Sequence, residues 1–508
     1  MSRRVRTRFA PSPTGPLHMG GVRTALYCYA FAKNHGGDLV LRIEDTDQTR
    51  FVPGAEEYII DALKWAGIEP NEGVGFGDGE FGPYRQSERK GMYRQFAEQL
   101  IESGHAYYAF DTSEELEKMR EDMKAQGNPS PKYDAITRQY MKNSVSLPQD
   151  EVQKRLEAGD DYVIRIKMPR NEEVKFEDSI RGWVSFQTNQ LDDKVLLKGD
   201  GMPTYHLANV VDDHSMEITH VIRGEEWLPS TPLHVLLHRY LGWEDQMPTF
   251  AHLPLILKPD GNGKLSKRDG DRLGFPVFPL DWTSPETGEK SSGYRERGFF
   301  PEAFDNFMML LGWNPGTEQE LFSMEDFCQV FTLERVGKSG AKFDFEKAKW
   351  FNQQYLKEKA STDLAQLVKP YMEAAGYSFT DDYLVSVVDL IKERCTFLSD
   401  FPEVGYYFFE DIKEYDEKTL RKKWKPESKG LFEELSGRIN DLSSFTSEAI
   451  EAEVKAFMAD HELGFGQVLP ILRVAMTGTM QGPPIFNVMA LFGKEMVAER
   501  FAKALSSF

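Results

Sequence analysis

Cysteine is scarce in this 508-residue chain, and the three that it has are Cys28, Cys328 and Cys395. They lie far apart and form no CxxC pair, which argues against disulfides and against a zinc ion held by cysteines. Unpaired cysteines are typical of proteins in a reducing compartment. We therefore expect the protein to be cytoplasmic.

Long apolar runs are also lacking. The N-terminal segment contains Arg3, Arg4, Arg6 and Arg8 but no hydrophobic stretch ahead of the first predicted strand. A signal peptide and a membrane span both need such a stretch. The sequence therefore predicts no targeting segment and no membrane partner.

Positive charge is in short supply too, with 61 lysines and arginines against 81 aspartates and glutamates, for a net charge of −20. A surface of this sign does not bind nucleic acid in general. A nucleic-acid partner would need local basic patches, for which residues 338–349 and 421–425 are candidates. Either segment is equally well explained as a solvated helix face.

The succession of patterns along the chain predicts three to four domains. Strand and helix alternate over residues 1–110 and again over 199–257, which predicts the two halves of a Rossmann-type parallel sheet. Residues 111–198 combine a charged helix with alternating strands and indicate an inserted α+β domain. Residues 258–334 contain a basic loop and then helical periodicity, and residues 335–508 predict an all-helical region without strands.

The strands of the second sheet half are predicted at residues 218–222 and 253–257, with a helix over 232–241 between them. Ligands of open parallel sheets bind at the carboxyl ends of the strands. We expect a nucleotide site at that edge.

The segment from Pro11 to Gly21, PSPTGPLHMGG, connects the first predicted strand to a helix that should begin near His18. A helix start offers free backbone N–H groups and the positive end of a dipole to an anion. His18 would then face a phosphate, and Gly20 and Gly21 would leave room for an adenine base. The alternative is a solvent-facing histidine beside two helix-packing glycines.

A second motif follows the glycine-rich stretch 258–263 and consists of Lys264, Leu265, Ser266, Lys267 and Arg268. Lysines on a mobile loop suit a triphosphate, because they can follow negative charge as it develops during a reaction. A solvated basic loop is the alternative when this motif is considered alone. The two motifs together favour a protein that holds a nucleoside triphosphate from two sides.

These two segments resemble the HIGH and KMSKS motifs of class I aminoacyl-tRNA synthetases. Residues 8–15, RFAPSPTG, are similar to the bacterial glutamyl-tRNA synthetase family in particular. Further agreement comes from the blocks LRIEDTD (41–47), GPYRQSER (82–89), PTYHLANVVDDH (203–214) and VIRGEEW (221–227). The resemblance extends from Arg8 to the C-terminus and is weaker after about residue 350.

The resemblance implies ATP-dependent attachment of L-glutamate to the 3′ end of tRNA(Glu) through a glutamyl-adenylate, with AMP and pyrophosphate released. The implied ligands are ATP with Mg²⁺, L-glutamate and tRNA(Glu), and a monomer is the default expectation. Two alternatives remain open. In the first, the enzyme also charges tRNA(Gln) with glutamate. In the second, the chain is a nucleotidyltransferase with the same phosphate-binding motifs.

The resemblance also implies a role for individual residues. Those implied in catalysis are His18, Lys264 and Lys267. Those implied in ATP binding are His18, Gly20, Gly21, Glu226, Leu257, Lys264, Leu265, Ser266, Lys267 and Arg268. Those implied in glutamate binding are Arg8, Ala10, Ser12, Glu44, Tyr205, Asn209 and Arg223, with Arg223 favoured for the side-chain carboxylate and Glu44 for the ammonium group.

The resemblance assigns the insertion 111–198 to the acceptor stem of tRNA, residues 258–334 to further stem contacts and residues 335–508 to the anticodon, with Arg394 as an anticodon-reading candidate. Some relatives carry a zinc-binding cysteine pair where this chain has Tyr108, Ala109 and Phe110, so we expect no structural zinc. Residues 269–298 form a longer segment than compact family members have, and we expect a surface loop or lid there.

Overall fold

The computed structural model describes residues 3–508, which form two compact units. The first unit contains the chain up to Arg297 together with Pro301–Phe345, and the second contains Gly298–Phe300 and Glu346–Phe508. Within residues 3–508, no helix combines the length and the apolar character needed to cross a bilayer.

Fourteen short strands lie in the first unit. In chain order they are β1 (Arg6–Phe9), β2 (Asp38–Leu41), β3 (Glu72–Gly73), β4 (Ala106–Ala109), β5 (Val163–Ile166), β6 (Glu173–Asp178), β7 (Gly182–Gln187), β8 (Val195–Leu197), β9 (His220–Gly224), β10 (Thr249–Leu253), β11 (Ile256–Leu257), β12 (Trp282–Thr283), β13 (Lys290–Ser291) and β14 (Ala341–Lys342).

Seven of these strands form the central sheet, in the order β3-β2-β1-β9-β10-β6-β7. All pairs are parallel except β6 with β7, which form a hairpin. The chain runs outward from β1 to β2 and β3 on one side and returns at β9 on the other. The crevice at this reversal, beside the carboxyl ends of β1 and β9, is where a doubly wound sheet binds its ligand.

The helices of the first unit cover this sheet and extend beyond it. They are α1 (Met19–Asn34), α2 (Ala55–Trp65), α3 (Lys90–Glu102), α4 (Ser113–Ala125), α5 (Gln149–Ala158), α6 (Tyr205–Ser215), α7 (Thr231–Tyr240), α8 (Lys267–Leu273), α9 (Pro301–Leu310) and α10 (Met324–Val330). Helix α1 begins where the sequence predicts it, and Val22 and Leu26 bury its core face completely.

The second unit is helical, as the sequence predicts. Its helices are α11 (Phe345–Glu358, whose first residue belongs to the first unit), α12 (Ser361–Ala374), α13 (Asp381–Ile391), α14 (Phe401–Val404), α15 (Glu417–Lys423), α16 (Ser428–Asn440), α17 (Ser447–Asp460), α18 (Phe465–Thr477) and α19 (Ile485–Ser507). Helix α19 is kinked at Gly493, which has a φ of 78°.

Three local predictions differ from the structure. Residues 253–257 are not one strand, because Pro254 has no N–H for a ladder and separates β10 from β11. The prediction that residues 335–508 contain no strand is wrong for the two residues of β14, which pair with β11. The β6–β7 hairpin, predicted inside the insertion, pairs with β10 and extends the central sheet, whereas β4, β5 and β8 form a separate sheet.

The segment 269–298 is more firmly packed than the surface loop or lid that the sequence suggests. Phe275, Val277, Phe278 and Leu280 are buried. The Tyr58 hydroxyl donates a 2.6 Å hydrogen bond to the Leu280 carbonyl and accepts one of 3.0 Å from its N–H. The first part of this segment is therefore a structural wall of the first unit.

Helix α9 buries a carboxyl group without compensation. Asp305 is 5% exposed, and its Oδ1 accepts no hydrogen bond from residues 3–508. It borders a cavity of about 240 Å³ whose wall includes Trp65 and Met309. Burial first, and the charge of Glu302 second, raise the pKa of Asp305 well above its ordinary value of 3.8.

This environment predicts a pH-dependent cost to stability. Because the folded pKa lies above the unfolded one, the protonated carboxyl stabilises the fold fully only below about 3.8, and that stabilisation is lost as the pH rises. We expect Asp305→Leu to increase the free energy of unfolding by about 1–3 kcal/mol at pH 7.5 and by less at pH 5. Calorimetry at both pH values measures this, with exposed Glu325→Gln as the control. An equal gain at both pH values would contradict the titration argument.

Candidate active site

A cavity of about 740 Å³ opens at the carboxyl ends of β1 and β9 and at the start of α1. Both sequence motifs contribute to its wall. The predicted site residues that line it are Arg8, Ala10, Ser12, His18, Gly20, Gly21, Glu44, Tyr205, Asn209, Arg223, Glu226, Lys264, Leu265 and Ser266. Leu257, Lys267 and Arg268 are not part of the wall, and Arg394 lies in the second unit.

His18 is the N-cap of α1, and its ring is fixed by the backbone that follows it. Its Nδ1 accepts a hydrogen bond of 3.2 Å from the Gly20 N–H, so the proton of the neutral ring is on Nε2. That Nε2 is buried and has no hydrogen-bond partner among residues 3–508. Burial first, and the nearby Lys264 second, lower the pKa of His18 to about 4. The ring thus offers the cavity a neutral N–H donor.

The expectation that free N–H groups at the helix start meet an anion is wrong for α1. The N–H of Met19 donates to the Val277 carbonyl at 2.9 Å, and the N–H groups of Gly21 and Val22 donate to the His18 carbonyl. Together with the cap at Gly20, these contacts use all four N–H groups of the first turn. An anion near this helix must therefore be bound by side chains.

The glycines of the first motif have different constraints. A Cβ on Gly21 would approach Leu17 Cδ1 to 2.5 Å, so a larger residue there would require the Leu17 side chain to move. A Cβ on Gly20 would make only ordinary contacts, the nearest at 3.7 Å. Gly20 therefore keeps the cavity open without being forced to do so by its neighbours.

The lysines of the second motif are separated in the structure. Lys264 Nζ lies 2.8 Å from Glu226 Oε1 on the cavity wall, and although burial opposes it, this hydrogen bond keeps the pKa of Glu226 below its ordinary value. Lys267 is the first residue of α8, and its Nζ lies 3.0 Å from a carboxylate oxygen of Glu289. The charge of Lys267 is thus directed to the segment 269–298 rather than to the cavity.

Below the cavity lies a buried network of opposite charges. Arg42 lies 3.0 Å from Glu44 Oε1 and 2.8 Å from Asp213 Oδ1. Arg8 Nε lies 3.2 Å from the same Asp213 oxygen. Although burial alone would raise it, Arg8 and Arg42 hold the pKa of Asp213 below its ordinary value. The Nη1 and Nη2 of Arg8 have no acceptor among residues 3–508, which leaves them to a ligand.

Arg223 has different surroundings. Its guanidinium donates to the Tyr205 hydroxyl at 2.7 Å, to Thr231 Oγ1 at 2.9 Å and to His252 Nε2 at 3.0 Å. All three acceptors are neutral. Arg223 is therefore a buried cation at the cavity wall without a carboxylate partner, and burial lowers its pKa.

Sequence reasoning did not single out several residues that shape this site. They are Arg42, Asp213, Trp227, Thr231 and His252. For Asp213 a signal was present, because Tyr205, Asn209 and Asp213 recur every four residues and so share one face of α6. No comparable signal exists for His252, whose partners are distant in sequence.

Comparisons with known proteins identify the family of the chain. Residues 4–350 match the family model of the catalytic domain of class I tRNA synthetases (E and Q). The chain belongs to this family. Residues 363–505 of this tRNA synthetase match the model of an anticodon binding domain.

Similar proteins span the whole synthetase. A glutamate–tRNA ligase of Cytophaga hutchinsonii is 54% identical over 99% of this chain and 98% of the relative, and one of Christiangramia forsetii is 54% identical over the full length of both. A crystal structure of a glutamate tRNA ligase from Elizabethkingia meningosepticum in complex with its amino acid has a TM-score of 0.92, at 49% identity, covering 99% of this chain and all of that one.

The state of His18 can be measured directly. We expect the ring to stay neutral, with the proton on Nε2, from pH 8 down to about pH 5, because its pKa is lowered to about 4. Nitrogen NMR shifts of ¹⁵N-histidine protein report both the charge and the tautomer, and His18→Asn identifies the signal. Titration with a midpoint near 6.5, or a proton on Nδ1, would show that the ring is not the buried donor described above.

Proposed function

We propose that this synthetase attaches L-glutamate to the 3′ end of tRNA(Glu) in two steps at the 740 Å³ cavity. In the first step an oxygen of the glutamate α-carboxylate bonds to the α-phosphorus of ATP, and pyrophosphate leaves. In the second step a terminal ribose 2′-hydroxyl attacks the acyl carbon, AMP leaves, and the hydroxyl proton goes to solvent or the departing phosphate. ATP enters as its Mg²⁺ complex.

One observation carries the proposal. The cavity brings a neutral N–H donor, His18, and an exposed cation, Lys264, to the same space as Arg223, a buried cation without a carboxylate partner. Phosphate oxygens and an amino-acid carboxylate would therefore find complementary groups side by side. A nucleotidyltransferase without an amino-acid substrate has no need for Arg223, so this alternative is disfavoured.

Binding of the amino acid follows from the charges. The side-chain carboxylate pairs with Arg223, which rejects neutral glutamine because an amide leaves the buried cation uncompensated. Glu44, whose Oε1 also accepts from Asn209 at 2.9 Å, receives the ammonium group. The free Nη atoms of Arg8 face the ligand, and Tyr205, Ala10 and Ser12 complete the wall.

Activation needs no general base, because the α-carboxylate is ionised at neutral pH. The protein contributes positioning and charge stabilisation. His18 donates to a phosphate oxygen, while Lys264 and Lys267 follow the charge that develops on the leaving pyrophosphate. Lys267 must first break its ion pair with Glu289. This pair lies at the surface, contributes about 1 kcal/mol or less, and therefore opens readily. Gly20, Gly21, Glu226, Leu265 and Ser266 form the ATP side of the cavity wall, and the roles of Leu257 and Arg268, which lie outside it, rest on the family resemblance alone.

The remaining regions are proposed to bind tRNA. Residues 111–198 receive the acceptor stem, 258–334 make further stem contacts, and 335–508 hold the anticodon. A monomer is the expected state of the enzyme. The curated relatives above are named for the amino acid glutamate, and nothing in their names favours tRNA(Gln) as a second substrate.

The reaction itself is tested by isotope exchange between pyrophosphate and ATP. We expect exchange that depends on L-glutamate and on added tRNA, because the resemblance to glutamyl-tRNA synthetases implies that activation waits for tRNA. The assay is run with total tRNA, without it, and with glutamine or a non-amino-acid carboxylic acid in place of glutamate. Exchange that is supported only by the non-amino-acid carboxylic acid would point to the nucleotidyltransferase instead.

The role of Lys267 gives a second prediction. We expect Lys267→Ala to reduce the exchange rate by about 10²–10³-fold, as loss of a cation at the developing charge does, without lowering the melting temperature. Glu289→Gln should leave the rate at or above that of the wild type, because it removes the partner that holds Lys267 outside the cavity. Exposed Lys290→Ala is the control for charge. Unchanged exchange in Lys267→Ala would remove this residue from the mechanism.

Arg394 gives a third prediction, for the second unit. It is exposed on the turn after α13. Burial lowers the pKa of Arg473, and the positive charge of Arg394 lowers it further. We expect Arg394→Gln to reduce the preference for tRNA(Glu) over tRNA(Gln) about tenfold, measured as kcat/KM for charging. Lys429→Gln should not change it. The same ratio before and after the Arg394 change would exclude the role.

A further inference from the structure

Arg223 is held by a chain of hydrogen bonds that extends away from the cavity. His252 on β10 is completely buried. Its Nε2 lies 3.0 Å from Arg223 Nε, and its Nδ1 lies 2.6 Å from Asp178 Oδ2 at the end of β6. These hydrogen bonds therefore connect Asp178, in the hairpin at the edge of the sheet, through His252 on β10 to Arg223 near the end of β9.

The donor and the acceptor of each hydrogen bond in this series are fixed. A guanidinium nitrogen only donates, so His252 Nε2 must be the acceptor, and the ring proton must be on Nδ1, where it is donated to Asp178. Thr231 Oγ1, which accepts from Arg223 Nη2, can donate its own proton to the same Nε2 at 3.2 Å. Neutral His252 with its proton on Nδ1 is the one state that satisfies all of these contacts.

The neutral ring also separates two charges. Asp178 is ionised, because hydrogen bonds from His252 and from backbone N–H groups hold its pKa below its ordinary value against the opposing effect of burial. A carboxylate in direct contact with Arg223 would form an ion pair and weaken its attraction for a ligand carboxylate. With the imidazole between them, Asp178 orients the guanidinium, and no carboxylate oxygen of residues 3–508 lies within 4.0 Å of it.

We propose that Asp178 and His252 are positioning residues for amino-acid specificity, which keep Arg223 both rigid and without a carboxylate partner so that it selects a ligand with a side-chain carboxylate. This inference rests on the proposed function and adds two residues that never touch the substrate. It also gives the β6–β7 hairpin a role in the site, because β6 ends at Asp178 beside Phe250 of β10.

One substitution preserves the geometry of this hydrogen-bond chain and reverses the direction in which its protons are donated. Asp178 Oδ1 accepts from the backbone N–H groups of Ile180 at 3.0 Å and Arg181 at 2.8 Å. These donors cannot reverse, so in Asp178→Asn the amide oxygen must stay at that position. The amide nitrogen then faces His252 Nδ1 and donates to it, which moves the ring proton to Nε2, opposite the Nε–H of Arg223.

Two donors would then face each other in a buried site. We expect Asp178→Asn to raise the KM for glutamate in pyrophosphate exchange about 10- to 100-fold, with kcat and the KM for ATP within about threefold of the wild type. Discrimination against glutamine should fall in parallel. Glu177→Gln, an exposed change on the same strand, is the control for the loss of a carboxylate.

A second substitution separates positioning from general damage. In His252→Gln the amide oxygen replaces Nε2 as acceptor for Arg223 and needs no partner to fix a tautomer. We expect its KM for glutamate to lie within about threefold of the wild type, and the addition of Asp178→Asn to this variant to have no further effect. Such non-additivity is the signature of two residues that act as one unit.

Three results would overturn the inference. They are an unchanged KM for glutamate in Asp178→Asn, an equal increase in the His252→Gln background, and a matching increase in the KM for ATP. If the melting curve shows that Asp178→Asn does not fold, the comparison of His252→Gln with His252→Leu tests the proposal instead. Only His252→Leu should raise the KM for glutamate. An equal increase in both variants would refute the proposal. Wild-type protein that does not exchange when both glutamate and tRNA are present would instead refute the proposed function.

Discussion

The site of the first unit depends on a single buried cation, Arg42. It emerges from the end of β2, is completely shielded from water, and contacts Glu44 on the following loop and Asp213 on α6. A buried guanidinium without carboxylates would cost several kcal/mol. The requirement to satisfy Arg42 therefore fixes α6 against β2, and with it the face of α6 that carries Tyr205 and Asn209.

This network distributes charge unequally between Arg8 and Arg223, the two arginines proposed to bind glutamate. Asp213 is shared by Arg42 and Arg8, so the cation of Arg8 is largely compensated before any ligand arrives. Arg223 receives only neutral acceptors. The difference explains how one cavity can attract a dicarboxylic amino acid without a surplus of positive charge that would bind any anion.

Much of this was predictable from local sequence. The strand and helix of the first motif, the parallel sheet and the helical second unit follow from periodicity and from the placement of glycine and proline. Tyr205, Asn209 and Arg223 were identified through the family resemblance, and the structure brings them to one cavity wall. Leu257 and Arg268, assigned in the same way, lie outside it.

What could not be predicted depends on contacts between distant segments. Asp178 meets His252 only because the β6–β7 hairpin leaves the insertion and pairs with β10. Short strands of alternating pattern fit a separate domain equally well, and no local feature specifies which sheet they join. Lys267 is a similar case, because its partner Glu289 belongs to a segment whose packing the sequence does not specify.

The start of α1 shows why phosphate binding in this protein must rely on side chains. In many nucleotide sites the backbone N–H groups of a helix start bind the phosphate and remain fixed throughout. Here the same groups are used by His18 and by the carbonyl of Val277, so that the segment 269–298 and the helix stabilise each other. The cavity is left with His18, whose ring is fixed, and with Lys264 on the loop before α8. Fixed N–H groups would bind the ground state and the departing pyrophosphate alike, whereas a lysine that leaves one carboxylate for a phosphate can bind more strongly as charge develops.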